Sequence, residues 1–266
     1  MSEHIDLSQD AGVLTIRMNR PERKNALTAE LGWSIVAAVR DAADDDDIWA
    51  IAITGNGDAF SSGLDLSDAG SAVEVPLSAQ EELMDELGWV GRFPVAFRAE
   101  CDKPTIAGIN GSAVGAGLSL AMCADIRMAS SAARFHPGYG RVGLSPDGGL
   151  TYTLPEAVGY ERAMRFLLEL RTIDAEEAHQ IGLVGDVVDQ ADFEDAFVDY
   201  CNRIAAVAPL AARRTKQLIG AATQPAAIDR HAADEVRWAL QGFKTNDSRE
   251  AVRAMMAKDQ PTFTGH

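Results

Sequence analysis

Pro104-Thr105-Ile106-Ala107-Gly108-Ile109-Asn110-Gly111-Ser112-Ala113-Val114-Gly115-Ala116-Gly117-Leu118-Ser119-Leu120-Ala121-Met122-Cys123-Ala124-Asp125-Ile126-Arg127-Met128-Ala129 contains an α/β unit in a single run of mostly small and apolar residues. Pro104 to Ile109 reads as a buried strand, Asn110-Gly111 as a turn, Ala116 to Cys123 as a helix of small residues, and Asp125 to Ala129 as a second strand. Thr105 to Ala124 carries no charge and has the length of a membrane span. Its content argues otherwise, because Gly108, Asn110, Gly111, Gly115 and Gly117 suit a strand, a glycine turn and a buried helix better than a lipid-facing one.

The same order appears upstream. Val13 to Met18 alternates as a half-buried strand and ends at Asn19-Arg20-Pro21. Thr28 then supplies an N-cap for a helix whose apolar positions include Leu31, Trp33, Val36, Ala37 and Val39. Ile48 to Thr54 is nearly continuous in apolar residues, as a strand buried on both faces requires, and Gly55-Asn56-Gly57 turns the chain. The spacing predicts a helix over Ala79 to Val90. From about Leu154 it becomes helical throughout, with segments at Tyr160 to Leu168, Ala175 to Ile181, Ala191 to Ala206, Ala208 to Ala222 and Arg230 to Phe243. The reading is an α/β core over residues 1–190 followed by a helical region over 191–266.

A formal charge of −16 over 266 residues leaves little phosphate-neutralising surface and argues against a nucleic-acid partner. Part of that charge is the run Asp44 to Asp47, which reads as a solvated loop. Cys101, Cys123 and Cys201 form neither an even set nor a C-x-x-C pair, so no disulfide framework or metal site is expected. The polar N-terminus lacks the pattern of a signal peptide. A cytoplasmic protein without a membrane partner is the expectation.

Two segments carry candidate chemistry. In Asp58-Ala59-Phe60-Ser61-Ser62-Gly63-Leu64-Asp65-Leu66 a small-residue turn after a strand can aim backbone N–H groups into a cleft. The alternative is a plain turn capped by Asp65. In the second, Gly115-Ala116-Gly117 opens a helix whose first N–H groups and positive end can meet an oxyanion. A dinucleotide fingerprint is excluded there, since no third glycine follows at the required spacing.

Together with Asn19-Arg20-Pro21-Glu22-Arg23-Lys24-Asn25-Ala26-Leu27 and Val142-Gly143-Leu144-Ser145-Pro146-Asp147-Gly148-Gly149, these segments resemble the enoyl-CoA hydratase/isomerase (crotonase) superfamily. The likeness extends through Thr172 to Ala178 and Gly182-Leu183-Val184. It implies a crotonase-like spiral of ββα turns with a C-terminal helical trimerisation region, hence a homotrimer or homohexamer. It implies an acyl-CoA thioester substrate, with coenzyme A as part of the substrate and no separate cofactor. It further implies an oxyanion hole from the backbone N–H groups of Ser62 and Ala116, with Lys24, Ala26, Ala59, Gly63, Leu64, Asp65, Ser119 and Tyr139 around the substrate.

The departures bear on the reaction. Ser119 and Tyr139 stand where the hydratases of this superfamily carry two glutamates, and a Ser and a Tyr of ordinary acidity activate water poorly. Asp147 matches the position of a proton-transfer base in relatives that isomerise dienoyl-CoA or ring-epoxide substrates, where one base suffices. The alternative is that Asp147 merely caps the following helix. Asn246 to Val252 and Pro261 to Gly265 also resemble the 2-(1,2-epoxy-1,2-dihydrophenyl)acetyl-CoA isomerase-like branch. An acyl-CoA isomerase using Asp147 is therefore the leading expectation, with a hydratase or hydrolase, or a binding relative without turnover, as alternatives. His136 reads as structural or assisting, His179 and His231 as surface residues, and Met255 and Met256 as helix packing.

Overall fold

A computed structural model describes residues 4–67, 80, 84–223 and 228–262. Of the helix anticipated over Ala79 to Val90, positions 79 and 81–83 lie outside them; a short helix, α2 (Gly88–Pro94), occupies the end of that segment and the residues beyond it, and Asp85 to Leu87 before it are not helical. The first elements are β1 (Ile5–Asp10), β2 (Val13–Met18), α1 (Ala29–Asp44), β3 (Ala50–Gly55) and β4 (Ala59–Ser61). After α2 come β5 (Thr105–Ile109), β6 (Ser112–Val114), α3 (Ala116–Cys123), β7 (Ile126–Ser130) and β8 (Arg134–His136).

A long strand followed after a turn by a short one recurs three times, as β3/β4, β5/β6 and β7/β8. The long strands join a six-stranded sheet of order β1-β2-β3-β5-β7-β10, where β10 is Asp186–Val188. The short ones build a second sheet, β4-β6-β8-β9, where β9 is Ile173–Asp174. β2, β3, β5, β7 and β10 run parallel, with Ile53 opposite Ala107 and Gly108 opposite Met128, and only β1 is antiparallel in that sheet. This stepwise winding is the ββα spiral. The three-residue strands escape detection in sequence because they are too short to show alternation, and β1 escapes because only Ile5 of its residues is buried.

Helix α1 begins as its sequence predicts, with Thr28 Oγ1 accepting from the Leu31 N–H at 3.2 Å. Its other end is closed by Lys103, almost wholly buried, which donates to the carbonyls of Ala42 and Asp45. A cation on the last free carbonyls complements the negative end of the helix. Asp44, its last residue, and Asp45 to Asp47 beyond it are exposed; the loop read from the charge run begins at Asp45. The apolar stretch Thr105 to Ala124 folds into β5, β6 and α3, buried except for partial exposure at Asn110, Ser112 and Val114, and among the described residues no helix is long and apolar enough to cross a membrane.

The remaining helices are α4 (Leu150–Val158), α5 (Tyr160–Glu169), α6 (Ala175–Gln180), α7 (Phe193–Ala205), α8 (Pro209–Thr223), α9 (Ile228–Gly242) and α10 (Asn246–Ala257). Helix α7 lays Phe193, Phe197 and Cys201 against Val13, Ala50 and Ile106 on one face of the large sheet. The main core fills the other face, between the sheet and helices α1 and α3. Met255 and Met256 do not pack as expected, since α10 leaves them 44% and 77% exposed.

Candidate active site

Two backbone turns are pressed together between the sheets. Gly63 adopts φ +86°, and a Cβ there would stand 2.5 Å from the Val114 carbonyl oxygen; a Cβ on Gly117 would meet the Ser61 side chain at 2.6 Å. Only glycine permits this approach. The turn after β4 is then fixed group by group. Ser62 N–H donates to the Lys24 carbonyl at 2.9 Å, Gly63 N–H to Ser61 Oγ at 3.2 Å, and Asp65 N–H to the Leu27 carbonyl at 2.9 Å. Among the described residues the N–H of Leu64 has no partner. That corrects the assignment of Ser62: its proton is committed to Lys24, and the donor this turn leaves free is two residues on. Ala116 is the first residue of α3, and its N–H has no intrahelical carbonyl to bond. Leu64 and Ala116 line one cavity of about 440 Å³, together with Ser62, Gly63, Tyr139 and Asp147.

Asp147 does not cap helix α4. That position is taken by Glu235, reaching in from α9, whose carboxylate accepts from the N–H groups of Gly149 at 2.5 Å and Thr151 at 2.9 Å and from the Thr151 hydroxyl. The Asp147 carboxylate instead accepts from the Tyr139 hydroxyl at 2.7 Å. Tyr139 is in turn 2.7 Å from Ser119 Oγ, and Ser119 donates to the Asp147 carbonyl at 2.9 Å. The three residues singled out in the sequence thus meet in one chain, with Ser119 fully buried behind Tyr139. Burial pushes the Asp147 carboxyl up to about 7, against the lowering effect of the Tyr139 hydrogen bond, and the Glu235 charge adds to the rise. Burial and the Asp147 charge hold the Tyr139 phenol well above 10, so it remains a donor.

Asp147 is half-buried because two cavities open on it. The larger, about 950 Å³, is walled mainly by apolar side chains, including Leu27, Trp89, Val90, Val236, Leu240 and Phe243. The smaller carries Arg134 and Arg141. Leu64, Val90, Asp147 and Phe243 belong to both walls. His136 lies in the wall of the smaller cavity; burial and Arg141 lower its imidazole below 6.5.

Lys24, Ala26 and Ala59, anticipated around the substrate, line neither cavity. The Lys24 ammonium forms an exposed ion pair with Asp58 at 3.1 Å. Ala26 and Ala59 are buried, and their carbonyls accept from Arg20 and from Asn25 and Asn110. His179 is exposed, whereas His231 is half-buried, with Nε2 2.7 Å from Thr151 Oγ1. Asp65 sits in the wall of the larger cavity but is spoken for by Arg20 at 3.1 Å and Arg23 at 3.2 Å. Burial would raise its carboxyl, yet hydrogen bonds from Ser67, Arg20 and Arg23 lower it to about 2. Its role is to brace the turn that presents Leu64. Asp65→Asn should leave Arg20, only 12% exposed, without its counter-charge. A loss of about 3 kcal/mol is expected, read as a fall of several degrees in Tm at pH 7; an unchanged Tm would remove Asp65 from this role.

Known proteins share this architecture. Residues 8–266 match the family model described as enoyl-CoA hydratase/isomerase. The 1,2-epoxyphenylacetyl-CoA isomerase of Escherichia coli is 31% identical over the whole of both chains. A 4-chlorobenzoyl coenzyme A dehalogenase of an Arthrobacter species is 35% identical over 206 residues, 76% of this chain and 72% of the other. The crystal structure of an enoyl-CoA hydratase/isomerase from Pseudoalteromonas atlantica superposes with a TM-score of 0.87 at 30% identity, covering 98% of this chain and 100% of that one.

Proposed function

The chain belongs to the enoyl-CoA hydratase/isomerase family, and from that premise we propose that it isomerises an acyl-CoA thioester with Asp147 as its single proton-transfer base. The observation that carries this reading is the Asp147 carboxylate in the wall of both cavities, which Leu64 also lines, relieved of helix capping by Glu235. The thioester carbonyl oxygen is held by the Leu64 and Ala116 N–H groups. Asp147 removes a proton from a carbon conjugated with that carbonyl, and the C–H electron pair moves to the carbonyl oxygen to give an enolate. The protonated Asp147 then returns the proton at a different carbon, which moves the double bond without net loss or gain of atoms. Tyr139 holds the carboxylate by one oxygen and cannot itself take the proton. The mainly apolar cavity suits the acyl group, while Arg134 and Arg141 beside the smaller one suit the anionic coenzyme A arm.

Proton exchange in heavy water tests the reading, with NMR detection and a panel of straight-chain and ring-derived enoyl-CoA thioesters. Because the base must be ionised and its carboxyl lies at about 7, exchange should rise with pH and reach half its maximum near pH 7. Double-bond migration with washed-in deuterium is the expected product pattern. Addition of water without migration would identify a hydratase, and binding with no exchange on any thioester would identify a protein that holds acyl-CoA without turning it over.

A further inference from the structure

We propose that Glu235 is a positioning residue for Asp147: from helix α9 it clamps the Gly149–Thr151 turn and keeps the neighbouring carboxylate on the cavity side. Its catalytic consequence rests on Asp147 being the base, but the clamp itself does not.

The geometry is that of a built site. The Glu235 side chain is only 5% exposed, an unusual place for a glutamate, and three donors from one turn converge on it: Gly149 N–H, Thr151 N–H and the Thr151 hydroxyl. The two N–H groups are ones that a helix N-terminus leaves unsatisfied, and an anion there also meets the positive end of α4. Gly149 and Gly148 both have positive φ, at 77° and 64°, so the turn has a specific shape to hold. Asp147 immediately precedes it, and the Asp147 carbonyl accepts from the Leu150 N–H at 3.3 Å. With the cap filled from outside, the aspartate is left to face Tyr139. The clamp comes from 86 residues further along the chain, so the placement of the base depends on the docking of a C-terminal helix.

Glu235 also acts through its charge. The titratable groups around this turn are Tyr139, which bonds Asp147; Cys123, whose thiol bonds the Gly148 carbonyl and is pushed by burial up to about 12; and His231, on the far side of Glu235. Asp85, Glu86, Arg237 and Lys244 also line the larger cavity on which Asp147 opens. Tyr139 and Cys123 stay neutral near pH 7. The hydrogen bond to Glu235 raises the His231 imidazole, so the two are linked. Glu235 is the negative neighbour that helps keep a proton on Asp147 at pH values where an exposed aspartate has none.

The test is an infrared titration of the full-length protein. The C=O stretch of the protonated Asp147 carboxyl is assigned by its absence in Asp147→Asn, and it is followed beside the pH profile of proton exchange. Glu235→Gln keeps the volume and one acceptor but removes the charge. Its Asp147 midpoint should fall by roughly one pH unit, carrying the acid limb of the exchange profile with it. The plateau rate should drop about tenfold with little change in KM as the turn loosens. Glu235→Asp, which draws the charge back by one methylene, should lie between Gln and wild type, and it serves as the variant of record if Gln does not fold. A midpoint and a plateau rate that both stay at the wild-type values in the folded variants would overturn the proposal. A midpoint that falls while the exchange profile stays put would uphold the action of Glu235 on Asp147 and instead remove Asp147 as the base.

Discussion

Asp147→Asn should lower thioester proton exchange and double-bond migration by about 10²–10⁴-fold, with KM nearly unchanged and the fold intact. The amide has the size of the carboxylate and still offers an oxygen to the Tyr139 hydroxyl at 2.7 Å. What it lacks is a site that binds a proton near neutrality. The same substitution should stabilise the protein, and the sign follows from where the proton resides. A carboxyl that titrates at 3.8 in the unfolded chain and at about 7 in the folded one keeps its proton only in the native state between those values. The native state therefore loses stability as pH rises from about 4 to 7, and above 7 the loss is complete. Because Asp147 retains some exposure to the cavities, the relief should be about 1–2 kcal/mol, a rise of several degrees in Tm at pH 8 that vanishes near pH 4. Full activity in Asp147→Asn on every accepted thioester would end the one-base mechanism, and a variant less stable than wild type at pH 8 would show that Asp147 is not a desolvated carboxylate.

What could be read in the sequence was whatever depends on neighbours along the chain. The Thr28 cap, the buried strands and the helix Ala116–Cys123 are local patterns: the cap and the helix stand where the sequence placed them, and the strands read over Ile48 to Thr54 and Pro104 to Ile109 run over Ala50–Gly55 and Thr105–Ile109. Ser119, Tyr139 and Asp147 could be singled out from motif position, though not that they form one hydrogen-bonded chain. The choice between Ser62 and Leu64 lay beyond reach for a definite reason. Which N–H of a turn remains free is decided by the carbonyls opposite, here those of Lys24 and Leu27, and these belong to a segment more than 30 residues away. Glu235 was hidden in the same way. On an amphipathic helix it looks like any solvated glutamate, and only tertiary docking reveals that it fills the cap that Asp147 was suspected of filling.

Ala116→Pro should lower the exchange plateau by about 10²–10³-fold, the equivalent of losing one oxyanion donor, ~2.7–4 kcal/mol of barrier. Side-chain replacement cannot test a backbone donor, but proline can, since it deletes the N–H itself. The position is suited to it. Ala116 is the first residue of α3, where proline is accepted because no intrahelical bond is lost and its fixed φ fits a helix start. Gly115 before it, at φ 52° and ψ −123°, lies outside the helical region that proline disfavours in its predecessor. The ring would occupy the place of the N–H at the wall of the smaller cavity, close to where the thioester oxygen is proposed to sit. Ala116→Ser, which leaves the N–H in place, should retain most of the activity and so separates loss of the donor from loss of the alanine. If Ala116→Pro folds, binds acyl-CoA and exchanges protons at the wild-type rate, the enolate oxygen is not held by this helix. Leu64 and Asp147 would then have to be reconsidered together, because Leu64 sits on the turn packed against the start of α3 and Ser119 of that helix holds the Asp147 carbonyl.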